Sequence, residues 1–169
     1  MALIIEDGSI VPSSDSYVSR VDYIAHALSL GVIVADDDAA DVQLRKAAAY
    51  IGQHEENLKG TSVSRDQSIV FPRYDLWING WSWSGSEIPT EVINCQLAFA
   101  LDINGGEDLW NRSVNPNSAI KKQRVEGAVS REFAVDGKGL NAKKKSTGDA
   151  LLSKLLVSTS FISMEAIRS

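Results

Sequence analysis

One cysteine, two histidines and four prolines in 169 residues close off several kinds of chemistry. The single thiol, Cys95, excludes an intrachain disulfide, and a thiolate metal cluster would need ligands from elsewhere, so a reducing compartment is expected. His26 and His54 stand at no metal-ligand spacing from each other or from Cys95, and the expectation is no metal, no cofactor and no catalytic residue. No apolar run approaches the roughly 20 residues that span a bilayer. The opening MALIIEDGSIV lacks the basic start and long apolar centre of a secretory signal, which reads as a soluble, cytosolic chain. Positive charge is also short: 17 Lys and Arg against 22 Asp and Glu leave a net charge of −5, without whole-chain support for a broad electrostatic grip on nucleic acid.

What is present is ordinary for a globular chain, with 44% hydrophobic and 23% charged residues. Around Asp7-Gly8, LIIEDGSIV predicts a small hairpin or edge strand. SSDSYVSRVDYIAHALSLG predicts a helix capped by Ser14 or Asp15, with Tyr17, Val21, Ile24 and Leu28 on its apolar face and Gly31 as its stop. DDDAADVQLRKAAAYIGQ predicts a second, with Leu44, Ala47, Ala48 and Ile51 facing the core. IPTEVINCQLAFALDINGG predicts a third, carrying Val92, Ile93, Gln96, Leu97, Ala100 and Leu101. Alternation from Val125 to Val135 reads as a half-buried strand. DGKGLNAKKKSTG reads as a basic loop and GDALLSKLLV as a short amphipathic segment.

Three of the four tryptophans fall within seven positions, in LWINGWSW. Asn79-Gly80 is a strong two-residue hairpin signal, and it pairs Ile78 with Trp81 and Leu76 with Trp83. With a period of two, those four side chains share one face, and Trp77 lies on the other with Ser82. Trp77, Trp81 and Trp83 are therefore expected at a subunit or partner contact, the alternative being a loop folded over Trp77 within the chain. Leu151, Leu152, Leu155 and Leu156 pose the same choice: a segment too short for a stable helix alone needs either a partner or the chain's own bundle.

Other motifs give way to plainer readings. Gly137, Gly139 and Ala142 spell G-x-G-x-x-A, but KKKSTGD follows where a dinucleotide site needs an apolar helix, so the stretch is a hinge loop. Asp36, Asp37 and Asp38 suit a helix N-terminus better than a cation site. Cys95 with a histidine is a conceivable nucleophile and base, since triads assemble in space. Its place between Val92 and Ala98 on a packed helix favours core, and no enzyme is expected. IKKQRV and AKKKS supply the candidate nucleic-acid contacts: Lys121, Lys122, Arg124, Lys143, Lys144 and Lys145.

The opening MALIIEDGSIVPSSDSYVS, the FPR segment running into EIPTEV, the strand VEGAVSREFAV and the closing DALLSKLL together resemble a tailed-phage family of DnaT-like single-stranded-DNA-binding proteins. Their order and spacing are also similar to head-tail connector, or adaptor, proteins. That resemblance implies a mainly α fold: a small helical bundle with a β-hairpin and short strands and an extended C-terminal arm. Residues 1–135 would form the adaptor domain and residues 136–169 a basic loop and docking arm. It further implies a homo-oligomeric ring, commonly a dodecamer, in the virion neck, assembled in the host cytoplasm. Its partners would be the portal and a tail-side neck or terminator protein, with DNA only passing through the lumen. A connector is the function this favours, with binding of single-stranded DNA in phage replication as the alternative, and tight binding is not expected at a net charge of −5.

Overall fold

Val92, Cys95, Phe99 and Ala100 run down a helix against which the other three α-helices of the described residues pack. The computed structural model describes residues 2–111, 122–124, 130–132 and 146–157. Among them are α1 (Arg20–Ser29), α2 (Asp37–Gly52), α3 (Thr90–Asn104) and α4 (Thr147–Leu155), with α3 packed against the other three. The strands are short and pair antiparallel in twos: β1 (Thr61–Ser62) with β2 (Arg73–Tyr74), β3 (Leu76–Ile78) with β4 (Trp81–Trp83), and β5 (Lys122–Arg124) with β6 (Ser130–Glu132). The result is a small protein of mixed helix and strand in which helix outweighs strand. Among the described residues no helix is long and apolar enough to cross a membrane.

The second and third helices follow their apolar periodicity. Leu44, Ala47, Ala48 and Ile51 are buried, and Asp36 caps α2 by accepting from the Ala39 amide at 2.7 Å. At the centre lies Gln96, wholly buried and wholly satisfied: Oε1 accepts from the Tyr17 amide at 3.0 Å, and Nε2 donates to Ser16 Oγ at 2.8 Å and to the Leu44 carbonyl at 2.9 Å. One side chain thus ties the N-terminal segment to α2 and α3.

Of the hairpin or edge strand expected for the N-terminal segment, the hairpin does not form. Buried Glu6 accepts from the amides of Gly8, Ile10 and Val11, each at 2.9 Å, and from Ser14 Oγ at 3.1 Å. Amides that would have paired across a hairpin are drawn to one carboxylate, and only a parallel bridge of Ile5 with Ser16 remains. Consequently Ser14 and Asp15 do not cap α1. Ser19 does, accepting from the Asp22 amide at 3.1 Å.

The predicted face of α1 is also corrected. Tyr23 and Ala27 face the core, while Val21 and Leu28 are 75% and 59% exposed. Polar ties set this rotation: Tyr23 Oη donates toward Gln43 Oε1 at 2.6 Å and lies 3.1 Å from the Ala100 carbonyl, and Arg20 binds α2 through Asp41. Burial of the phenol pushes its pKa up to about 12.

The C-terminal leucines pack on the chain itself. Ser146 and Asp149 form a reciprocal capping box that starts α4, and Leu152 and Leu155 are buried in the common core, with Leu151 and Leu156 half-buried. The chain then meets the turn after α2, where Val157 donates to the Asn57 carbonyl at 2.8 Å and Lys59 to the Leu155 carbonyl at 2.9 Å.

Candidate functional site

The tryptophan hairpin has the predicted register: Leu76 opposite Trp83, Trp77 opposite Ser82, Ile78 opposite Trp81. Asn79 and Gly80 carry the positive φ values, 53° and 84°, that a tight two-residue turn requires. Asn79 Nδ2 donates to Glu91 Oε1 at 3.2 Å, so the turn is tied to the first turn of α3. Burial across the ribbon is uneven. Leu76 and Ile78 are core, and Trp83 packs half-buried against it. Trp81 shares their face by alternation yet is 77% exposed, because β3 is the inner strand and β4 leaves its turn-proximal residue beyond the core. Trp77, on the opposite face, is 59% exposed, and no described segment folds over it.

Tyr74 adds a third exposed ring that hairpin periodicity did not single out. It lies against Gly85, where a Cβ would collide with ring atoms Cδ1 and Cε1, so only glycine leaves the ring this position. Beneath it the FPR segment is anchored by Arg73, buried, whose guanidinium donates to the carbonyls of Lys59 and Gly60 at 2.9 Å each. The Phe71-Pro72 peptide is cis, and Phe71 meets Tyr17 edge to face at 6.1 Å between centroids. Arg73 has no basic neighbour in FPRYD, so no basic run points to it.

Charge is segregated along the chain. Residues 74–111 hold all four tryptophans and six carboxylates, Asp75, Glu87, Glu91, Asp102, Glu107 and Asp108, without one Lys or Arg. Residues 112–145 hold nine Lys and Arg against three Asp and Glu, a net +6, so the remainder carries −11 to make the total −5. A regional count would have found this contrast, whereas the whole-chain value averaged it away. Lys122 and Arg124 fall on β5, paired through the backbone with Glu132 and Ser130. β6 lies within the stretch whose alternation predicts a strand, and its partner β5 falls in the basic run IKKQRV. Lys121, Lys143, Lys144 and Lys145 lie outside the described residues, as do Gly137, Gly139 and Ala142.

The remaining candidates settle into structural places. Leu152 and Leu155 are turned into the chain's own core and are not free to meet a partner. Cys95 is buried, its Sγ 3.7 Å from the Gly148 carbonyl. Burial, with help from the charge of Asp149, pushes its thiol up to about 12, so it stays protonated at neutral pH. His54 Nδ1 lies 3.0 Å from the Tyr50 carbonyl within its own turn. Asp37 pairs with Arg20 at 2.7 Å. Among the described residues no group of three His, Cys, Asp or Glu could hold a metal ion.

The sequence model of a family described as putative DnaT-like ssDNA binding protein matches residues 1–169. The chain belongs to that family. No curated protein matches, and no solved structure matches. The match overturns the preferred connector reading: a family described by single-stranded-DNA binding supports the alternative, and not a portal-bound ring with DNA only in transit.

Proposed function

We propose that this member of the family binds single-stranded DNA, with phosphate contacts supplied from residues 112–145. The observation that supports this is the charge segregation: a net +6 concentrated in 34 positions of a chain whose remainder is −11. Local clusters of Lys and Arg neutralise phosphates and release counterions whatever the charge elsewhere. To Lys121, Lys122, Arg124, Lys143, Lys144 and Lys145 we assign the phosphate contacts. The role is binding without catalysis or cofactor. The finer architecture that suits it is a mainly helical bundle serving as a rigid support for small sheets and a C-terminal segment.

Fluorescence anisotropy with a labelled oligodeoxythymidylate tests the reading. Saturable binding is expected at about 50 mM salt, weakening steeply toward about 200 mM. With six contacts and a slope of about −0.7 per phosphate on single strands, log K should fall with log salt at about −4. Absence of saturable binding at the lower salt, or equal affinity for a duplex of the same length, would defeat it.

A further inference from the structure

We infer that Trp77 and Trp81 are two separate stacking positions for unpaired nucleobases, one on each face of the β3–β4 ribbon. The inference rests on the single-strand reading above and adds a site to it. Their rings are 59% and 77% exposed, and among the described residues neither meets another ring. Trp110 differs, since it lies edge-on against Tyr50 at 5.7 Å. Both indoles sit on a ribbon held in place by Leu76 and Ile78 in the core and by the Asn79 to Glu91 hydrogen bond, so little ordering remains to be done on binding.

The surroundings select the occupant. The exposed large apolar residues of β2 to β4 are all aromatic: Tyr74, Trp77 and Trp81. Among the described residues the exposed aliphatics lie off this ribbon, at Val21, Leu28, Leu30 and Ile33 on and after α1 and at Ile4, Val42 and Val157. Isolated indoles among Ser82, Ser84 and Gly80 offer flat faces and small polar groups, the surface on which a base stacks. Residues 74–111 themselves bring six carboxylates and no Lys or Arg, so they supply no cation for a phosphate. A neutral, planar base is the part of a single strand that this surface can hold, and every base has such a face.

The test titrates the full chain with an oligodeoxythymidylate of about 15 nucleotides, within the range of single-strand site sizes. Trp77→Ala and Trp81→Ala should each weaken binding by about 10-fold. The slope of log K against log salt should not change, because no phosphate contact is lost. Trp77→Phe and Trp81→Phe, which keep a ring, should recover most of the affinity. Indole emission should be quenched on binding by the unaltered protein and much less by the double alanine variant. An abasic strand of equal length should bind all variants alike. If the alanine variants bind as tightly as the unaltered protein, the inference fails and the functional reading stands. It fails equally if they change only the size of the protein in solution, which would make the face a contact between copies. No binding by the unaltered protein overturns the functional reading and the inference with it.

Discussion

Gly148 lies flat against the buried ring of Phe99: a methyl group on its Cα would collide with Cδ1 and Cε1. Here α4 crosses α3, and the ring cannot swing away because Tyr50 meets it edge-on at 4.9 Å between centroids. Replacing Gly148 with Ala in an open first turn would stabilise the helix by reducing the freedom of the unfolded chain. At this crossing the sign is reversed. Gly148→Ala is expected to destabilise by about 2 kcal/mol through overpacking and to lower the melting temperature. Amide exchange should quicken in α4 before α2, and an unchanged or raised melting temperature would show that α4 does not need this close approach.

Glu6 governs a loop whose backbone is strained. Gly8, Ile10 and Ser13 have φ values of 104°, 63° and 61°, and a Cβ on Gly8 would collide with the Ser86 carbonyl oxygen. Three amides and the Ser14 hydroxyl, four donors, converge on one carboxylate, which offers acceptors only. Glu6→Gln puts an amide NH2 where two acceptor positions stood and should cost about 2 kcal/mol, in the range for hydrogen bonds to a charged group. Unfolding in urea measures it. A loss well under 1 kcal/mol would mean that the loop is held by something other than this carboxylate.

Arg20 and Asp41 form a two-pronged pair, Nε to Oδ1 and Nη2 to Oδ2 at 2.8 Å each, with the carboxylate side chain only 3% exposed. Hydrogen bonding from Arg20 holds the Asp41 carboxyl below its ordinary range, against the opposing effect of burial. A depressed folded-state pKa contributes stability that is fully present above the unfolded value of about 3.9. That contribution is lost as pH falls through the lower folded value. Asp41→Asn should lower stability at neutral pH by about 2 kcal/mol and make its acid-side decline shallower than that of the unaltered protein. Stability curves from pH 7 down to about 2 would show it, and parallel curves would assign the acid dependence elsewhere.

Elements that depend on apolar periodicity or on a stereotyped turn were legible in the sequence. α2 buries the four residues its spacing chose, α3 buries Val92, Gln96, Leu97 and Ala100 with Ile93 and Leu101 half-buried beside them, and Asn79-Gly80 set the hairpin register. Legibility ended where a polar side chain overrides those rules. Glu6 unmakes a hairpin by taking its amides, and Tyr23 with Arg20 turns α1 away from Val21 and Leu28. Such ties join residues far apart in sequence, as Gln96 joins Tyr17 to Leu44, and no local pattern announces them. For the site, exposure of Trp77 could be anticipated from alternation, while that of Trp81 depended on which strand lies inside. Tyr74 could not be found without knowing that Gly85 lies beneath its ring.

The basic run at residues 143–145 separates a local electrostatic site from net charge. Replacing Lys143, Lys144 and Lys145 with Gln removes three positive charges from the segment of net +6. The matched control replaces Lys46, Arg65 and Lys154, exposed cations in the acidic remainder, and shifts the net charge equally. If phosphates are met by the basic segment, the first variant should flatten the salt dependence of oligodeoxythymidylate binding by about 2 in slope, at about 0.7 per contact. The control should leave the slope nearly unchanged, since long-range charge effects are largely screened beyond about 8 Å at physiological ionic strength. Equal losses in the two variants would mean that overall charge governs the encounter. A loss in the control alone would move the phosphate contacts onto the helical body.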